Sequence, residues 1–285
     1  MKRSSKLGFA IFLALIFFCP QFTFAHDGWV EVTPTIIEKG QLASIVLVQG
    51  NHSNEHKSYR IAGKWDGKNT VLAVVDPKGK QNELTDRIID LGEDEEKVGP
   101  KGPKGFYLAS YVPKDEGLYQ AVARQSRSLQ QGDGPKLVTV RIAKTAFAAF
   151  KLPTISAAKN LKGYDRLIAG EDGVEFIPVN NPLAVFSGGS MTLELRQKGR
   201  PTGGQLVTFV RRIDGFASVQ ERTTDDKGRV TFGVGPADFY LARAKIDEES
   251  PRPDGQKDKN SYESNLCIPS VQSSLVHFSR SFHST

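Results

Sequence analysis

The stretch "SMTLELRQKGRP" (190–201) carries the clearest fold signal in the sequence. Met191, Leu193 and Leu195 alternate with polar residues, which places the apolar side chains on one face of an extended strand. Lys198 and Gly199 follow as a turn signal. The stretch therefore predicts a half-buried β-strand that leads into a hairpin.

The same period of two recurs along the chain. "KLVTVRI" (136–142) and "RVTFGV" (229–234) alternate in the same way, and "WVEV" (29–32) has the composition of a strand. "GQLASIVLVQG" (40–50) is a nearly continuous apolar run between glycines, which predicts a strand buried on both faces. Only residues 155–163 suggest a helix, and it is short. Strands of this length and spacing predict an all-β protein with two Ig-like or transthyretin-like β-sandwich domains in tandem.

The spacing of these strands also suggests domain boundaries. Each predicted sandwich is close to the length of about 100 residues that an immunoglobulin domain needs. The predicted segments are a signal peptide (1–25), an N-terminal β-sandwich domain (26–148), a connector (149–171), a C-terminal β-sandwich domain (172–266) and a loosely ordered tail (267–285). Within the second domain, "EESPRPDGQKDKN" (248–260) is interpreted as a solvated loop.

The first 25 residues have the pattern of a secretory signal. Three basic residues precede a 13-residue apolar run (7–19), and Ala25 then offers a small residue at a cleavage site. The run is shorter than the about 20 residues of a stable membrane anchor, although an uncleaved anchor stays open as the alternative. If the signal is cleaved, the protein is expected to be periplasmic or extracellular, with no membrane span in the mature chain.

The mature chain has few features of a nucleic-acid-binding or disulfide-rich protein. Loss of the signal lowers the formal net charge from +6 to +3, and the basic residues are scattered. This distribution argues against a nucleic-acid partner. One cysteine, Cys267, remains, so an intrachain disulfide is excluded.

Two turns have recognisable chemistry. In "PKDEGLYQA" (113–121), Tyr119 has the position of a tyrosine that packs at a strand corner and bonds back to the backbone in Ig-like sandwiches. In "TTDDKGRVTF" (223–232), Gly228 closes a tight turn before a strand. Both are predicted to be structural.

The histidines are unevenly placed. Of the five, His26, His52 and His56 fall at the start of the mature chain, and His26 becomes its first residue if cleavage follows Ala25. If the strands around 29–32 and 42–49 form a hairpin centred on Lys39, His26 and His52 are opposed, with Cα atoms about 4.5–5.5 Å apart. Pro34 leaves open a different course, in which the first strand bends away to another sheet.

Such a cluster would suit a transition metal. The amine of His26 and the imidazoles of His26, His52 and His56 would be nitrogen donors, and Asp27 and Glu55 could add oxygen donors. Nitrogen-rich sites favour nickel, copper, zinc or cobalt. The alternative is a frayed terminus and two histidines on an exposed loop. No catalytic residues and no cofactor other than this metal are predicted, because no nucleophile motif is present.

The order of several motifs resembles a known family. "AHDGWVEV" (25–32), "IVLVQGNH" (45–52), "VRIAKTAF" (140–147), "DDKGRVTF" (225–232) and "SYESNLCI" (261–268) follow one another as in secreted bacterial proteins called NikM-like, a group otherwise labelled a domain of unknown function. The resemblance covers most of residues 25–266. It implies a periplasmic β-sandwich associated with nickel or cobalt uptake, and it implies His26 and His52 as ligands; His56 is added by proximity.

Together these observations predict an exported, non-enzymatic metal-binding protein or uptake accessory whose partners are a metal ion and a membrane metal-uptake system. One alternative is a structural or adhesive surface module without a metal role. Another is a histidine-brace copper oxidase, in which an N-terminal histidine and a second histidine hold copper.

Overall fold

The computed structural model describes residues 27–52, 61, 63–93, 104–170, 173–213, 216–237 and 239–269. The chain is 58% strand and 6% helix, and its strands form several sheets without a barrel. The predicted all-β, β-sandwich fold class is therefore confirmed. Residues 1–26, which include the predicted signal peptide and His26, and residues 53–60, which include His56, lie outside the described residues.

Seventeen strands are described. They are β1 (Asp27–Thr33), β2 (Ile36–Glu38), β3 (Ala43–Gly50), β4 (Thr70–Val75), β5 (Gln81–Glu83), β6 (Ile89–Asp90), β7 (Phe106–Tyr111), β8 (Gly117–Gln130), β9 (Lys136–Phe150), β10 (Val174–Pro178), β11 (Ser190–Gln197), β12 (Arg200–Pro201), β13 (Leu206–Ile213), β14 (Phe216–Thr223), β15 (Arg229–Gly233), β16 (Phe239–Pro251) and β17 (Lys257–Ile268).

Helical structure is confined to short pieces. The single α-helix of the described residues, α1 (Ile155–Lys159), lies where the sequence predicts one, and the Thr154 side chain caps it by accepting a hydrogen bond from the Ala157 amide. Three-residue 3₁₀ turns cover Gly67–Asn69, Thr85–Arg87 and Pro182–Ala184. In the described part of the chain, no helix has the length and apolarity to cross a membrane.

The sheets form two sandwiches that share one layer. One four-stranded sheet has the order β1-β3-β7-β6, and another joins β10, β11 and β12 with β15 beside β11. The third sheet has nine strands, in the order β14-β13-β16-β17-β9-β8-β4-β5 with β2 beside β9. Its centre is the parallel pair of β17 and β9. The two halves of the chain are thus hydrogen-bonded into one continuous sheet, while the predicted domain boundaries stay a prediction.

Each half has its own hydrophobic core. The first packs residues of β1 to β4 and β7 to β9 around Trp65, Tyr119 and Phe147. The second packs residues of β10, β11, β13 and β15 to β17 around Phe176 and Phe209. Rings of this size bury enough apolar area, at about 25 cal/mol per Å², to stabilise a fold without disulfides.

The alternating stretches occupy the positions that their period predicts. Met191, Leu193 and Leu195 lie on β11 and are fully buried in the second core. Lys198 (φ +51°) and Gly199 (φ +77°) make the turn that follows. The left-handed conformation at Gly199 explains why a glycine stands there.

The two predicted turns are also confirmed. The Tyr119 hydroxyl donates to the Asp115 carbonyl at 2.8 Å and accepts from the Asp115 amide at 3.0 Å, which closes the corner before β8. Gly228 has φ +72°, and the Asp225 carboxylate accepts hydrogen bonds from the Lys227 and Arg229 amides. Both features hold the backbone in a turn, as predicted.

Two predictions are corrected. The loop predicted at 248–260 is the end of a long hairpin, in which β16 and β17 enclose only the turn around Arg252–Gln256. Its polar residues form a strand because cross-strand ion pairs, such as Lys257 with Glu249 at 2.7 Å, support it. Two residues assigned to the tail, Cys267 and Ile268, belong to β17; the chain from 270 onward is outside the described residues.

The predicted hairpin centred on Lys39 is wrong in its connection. β1 and β3 do pair antiparallel, but Asp27 is opposite Gly50, so the register differs by one residue from the predicted one. Between them the chain passes Pro34, leaves this sheet and forms β2, which pairs with β9 in the nine-stranded sheet. The alternative course that Pro34 suggests is therefore the observed one.

Candidate functional site

The functional candidates that the structure describes lie where the start of β1 meets the second sandwich. Asp27 is the first residue of β1 and His52 follows the end of β3. Arg212 on β13 and Arg243 on β16 come from the far half of the chain. These four residues, called the N-terminal cluster below, join two strands of the first sandwich to two strands of the second.

Two hydrogen bonds and one close approach connect the four members. Arg243 Nη1 donates to Asp27 Oδ2 at 2.6 Å, and His52 Nε2 lies 3.7 Å from the same carboxylate oxygen. On the other side of the ring, Arg212 Nε donates to His52 Nδ1 at 3.3 Å, and Arg212 Nη2 donates to the Asn51 carbonyl at 3.3 Å. The imidazole therefore lies between an acceptor and a donor.

The cluster is buried under aromatic and apolar side chains. His52 is only 8% exposed, and its ring centroid is 5.0 Å from that of Trp29. Trp29 itself packs with Val48 against Val210 and Leu241 of the second sandwich. The polar cluster thus sits at the edge of an apolar contact between the two halves.

Burial sets the charge state of the histidine. Burial, together with the smaller effect of the positive charges of Arg212 and Arg243, lowers the pKa of His52 from 6.5 to about 3. Burial also raises the pKa of Asp27, while the neighbouring Arg243 opposes that rise. His52 is consequently neutral in the folded protein at physiological pH. Because Nδ1 accepts from Arg212, the proton of the neutral ring is assigned to Nε2, which faces Asp27.

A second ion pair extends the contact along β1. Arg141 Nε on β9 lies 2.6 Å from Glu263 Oε2 on β17, and the Arg141 guanidinium lies over the Trp65 ring at 5.7 Å. Gly28 passes directly above this pair. A Cβ at Gly28 would lie 2.8 Å from Trp65 Cζ2 and 3.0 Å from Arg141 Cδ, so the close approach of β1 requires a glycine.

The connector between the sandwiches is held by another buried pair. Lys144 Nζ donates to Glu175 Oε1 at 2.6 Å, and both side chains are almost fully buried. The amides of Ile168 and Ala169 donate to Glu175 Oε2 at 2.9 and 2.7 Å. Burial lowers the pKa of Lys144, and the neighbouring Glu175 carboxylate opposes that shift. Glu175 therefore ties the connector to both halves of the chain.

Of the site residues predicted from sequence, the structure describes only part. It brings Asp27 and His52 together, whereas His26, Glu55 and His56 lie outside the described residues. Among the residues that it does describe, no group of three or more His, Cys, Asp and Glu side chains is arranged to hold a metal. The predicted three-histidine metal site therefore stays a prediction.

The surroundings of His52, the histidine of that site that the structure describes, fit a metal ligand poorly. A histidine that binds a metal through one ring nitrogen normally donates the N–H of the other to an acceptor. At His52 the second nitrogen, Nδ1, faces a donor, Arg212, instead. Two guanidinium groups close to the ring also oppose a divalent cation. As it stands, the surroundings of His52 suit a neutral structural histidine.

Sequence reasoning missed the two arginines of the cluster. Arg212 and Arg243 lie 160 and 216 residues from the partners to which they bond. Their local sequences are ordinary alternating strands, so no spacing rule connects them to His52 or Asp27. The available signal is that each is an arginine among apolar strand residues, which predicts a partnered, buried charge.

The sequence matches a family described as "Domain of unknown function (DUF4198)" over residues 23–248. The chain belongs to the DUF4198 family. The match ends inside β16, so β17, which completes the second core, lies beyond it. A comparison of this DUF4198 protein with curated proteins finds no match.

Solved structures give only loose similarity to this DUF4198 protein. A tetra-tandem repeat from the extending region of a large adhesion protein aligns at 11% identity and TM-score 0.21, over 86% of this chain and 50% of that chain. Salmonella alpha-2-macroglobulin aligns at 10% identity and TM-score 0.25, over 85% and 15%. A two-domain fibronectin type III segment of chicken tenascin aligns at 12% identity and TM-score 0.21, over 86% and 100%. The chain spans half or less of the first two, and scores this low carry no argument about function.

Proposed function

We propose that this protein is an exported, non-enzymatic β-sandwich module with a structural or adhesive role, and that the N-terminal cluster clamps its mature start onto the second sandwich. The observation that carries the proposal is the position of His52, whose ring lies between Arg212 of β13 and Asp27 of β1. Each of these contacts crosses from one half of the chain to the other or fixes β1 against β3.

The energetics support a clamp. Breaking a buried charged pair by removing one partner costs about 3–5 kcal/mol, because the remaining charge is left without compensation. Arg243 with Asp27 and Arg141 with Glu263 are two part-buried pairs, so the cost of breaking either is expected to lie below this range. Together with the shared sheet they connect the two sandwiches, which suits a module that presents surfaces at a fixed spacing.

A second candidate function is metal binding at the mature N-terminus, as an accessory of nickel or cobalt uptake. The order of the residues favours it, because His26 directly precedes Asp27 in the sequence and the Asp27 carboxylate lies next to His52. The resemblance to NikM-like proteins points the same way. In this version the amine and imidazole of His26, with His56, hold nickel, cobalt, copper or zinc, and the ion passes to a membrane uptake system.

Within that second candidate, His52 acts as a support. Its Nδ1 accepts a hydrogen bond from Arg212, and its Nε2 lies 3.7 Å from Asp27 Oδ2. A histidine-brace copper oxidase is disfavoured, because a brace needs an unprotonated nitrogen of a second imidazole, whereas Nδ1 of His52 faces Arg212 and Nε2 carries the ring proton.

Calorimetric titration of the mature chain (26–285) with nickel, cobalt, copper and zinc separates the candidates. The matched control carries one extra residue before His26, which blocks the amine of the histidine and leaves every side chain in place. The clamp proposal alone predicts the same result for both proteins. Binding to the mature chain that is lost in the extended one would establish the second candidate in place of the first.

A further inference from the structure

The last strand of the described chain lies in the middle of the largest sheet, where β17 is inserted between β16 and β9. It pairs antiparallel with β16 along its whole length and parallel with β9 from Lys259 to Cys267. These partners are distant in sequence: Arg141 and Glu263, which are opposite each other, are 122 residues apart. A parallel pair cannot form as a local hairpin, so residues 137–145 of β9 gain this neighbour only when the end of the chain arrives.

The apolar side chains of β17 pack in both halves of the molecule. Leu266 and Ile268 are buried in the second core. Cys267, which points to the opposite face of the strand, packs with Trp29 of the first sandwich and with Leu241 of the second. Removal of β17 would therefore expose apolar surface of both sandwiches to water, which the hydrophobic effect opposes.

Polar groups of both halves also bond to β17. In the first sandwich, Arg141 Nε of β9 donates to Glu263 Oε2 at 2.6 Å. In the second sandwich, the buried Phe176 amide of β10 donates to Ser264 Oγ at 3.1 Å. Loss of β17 would remove a carboxylate from a buried arginine and an acceptor from a buried amide, and either loss destabilises a protein interior.

Without β17, the side of β9 that it covers would be an open strand edge. Side chains 140–150 of β9 are all buried in the complete fold, so this edge would belong to a long and largely apolar strand. Such an edge is a template for pairing with other chains, and partly folded proteins that expose one tend to aggregate. A first sandwich that formed ahead of β17 would carry this liability.

We propose that β17 is a closing strand, which couples the folding of both sandwiches to the end of the chain: neither half is stable until residues 257–268 insert between β9 and β16. If the chain is exported from its N-terminus, as proposed above, this dependence delays folding until almost the whole chain has crossed the membrane. The inference goes beyond the proposed function and does not depend on whether the mature N-terminus binds a metal.

Proline substitution tests the requirement for β17. Ser264→Pro in the mature chain (26–285) removes a backbone donor from the centre of the sheet, and Lys257→Pro, at the exposed first residue of the same strand, is the matched control. Segment-resolved hydrogen exchange then follows β3 and β7, which lie in the other sheet of the first sandwich. We expect both strands to lose protection in Ser264→Pro and to keep it in Lys257→Pro. A Ser264→Pro protein in which β3 and β7 stay protected overturns the proposal.

A milder variant applies the same test to a protein that still folds. Leu266→Ala removes packing in the second core, and Leu206→Ala, at a leucine that is 56% exposed, is its matched control and should change neither half. If β17 closes both halves together, Leu266→Ala raises the slowest exchange rates of β3 and β16 by the same factor, at least about 30-fold. A rise confined to β16, with β3 unchanged, would show that the first sandwich is stable without the closing strand and overturns the proposal.

Discussion

The charge state of His52 makes a quantitative prediction about stability. In the unfolded chain its pKa is the ordinary 6.5, whereas in the folded protein burial and two arginines lower it to about 3. Between these values the unfolded state binds a proton that the folded state excludes, so stability falls as the pH falls below 6.5. Between about pH 7.5 and about pH 5, protonation of the unfolded imidazole therefore lowers the free energy of unfolding by about 2 kcal/mol.

Replacement of His52 by Gln removes this pH dependence of the stability, because an amide does not titrate. We expect the free energy of unfolding of the mature chain to drop by about 2 kcal/mol more than that of His52→Gln over this pH range. Urea denaturation at each pH, in the presence of a chelator, measures both curves. Asp27, whose raised pKa acts in the opposite direction, is present in both proteins and cancels in the comparison. Parallel curves for the two proteins would refute the account of a neutral, buried His52.

Three further predictions concern other contacts of the fold, each measured by chemical denaturation. Glu175→Gln leaves Lys144 buried without a charged partner and should cost about 3–5 kcal/mol, and Lys144→Met in the same protein should restore part of the loss; no restoration would contradict the buried pair. Gly28→Ala should destabilise the protein, because the added methyl group collides with Trp65; unchanged stability would mean that β1 does not approach so closely. Tyr119→Phe should cost about 1–2 kcal/mol by removing the corner hydrogen bonds, and a neutral effect would show that the corner does not depend on them.

The fold class was accessible from sequence because it depends on local period. Strands such as β11 and β15 bury one face, so the alternation of Met191, Leu193 and Leu195 survives whatever lies next to the strand. The corner at Tyr119 and the turn at Gly228 were equally local. The course of β2 was not, because its partner, β9, lies more than 100 residues further along the chain.

The end of the second sandwich shows the limit of composition as a guide. Residues 248–260 have the charge, proline and glycine of a loop, and yet most of them belong to β16 and β17. Ion pairs between the two strands, Lys259 with Asp247 among them, supply what the apolar period lacks. A charged hairpin of this kind can be recognised only once the pairing is known.

Only the local half of the candidate site could be predicted from the sequence, for the same reason. The pairing of β1 and β3 predicted that His26 is opposite His52, which is a short-range argument, and the observed register, with Asp27 opposite Gly50, differs from it by one residue. The groups that decide the chemistry of His52 are Arg212 and Arg243, which only the assembled sheet brings to it. From sequence spacing, His52 is a candidate metal ligand, whereas its contacts with the two arginines favour a structural role in the clamp.

The most direct test of the clamp is a metal titration of the mature chain beside the His52→Gln variant, with the fold of each verified by circular dichroism. If His52 is a structural residue, nickel, cobalt, copper and zinc give the same affinities with both proteins, while the variant is less stable at neutral pH. A folded His52→Gln protein that loses a metal affinity present in the mature chain would contradict the account, because His52 would then serve a metal site as a ligand or as its support.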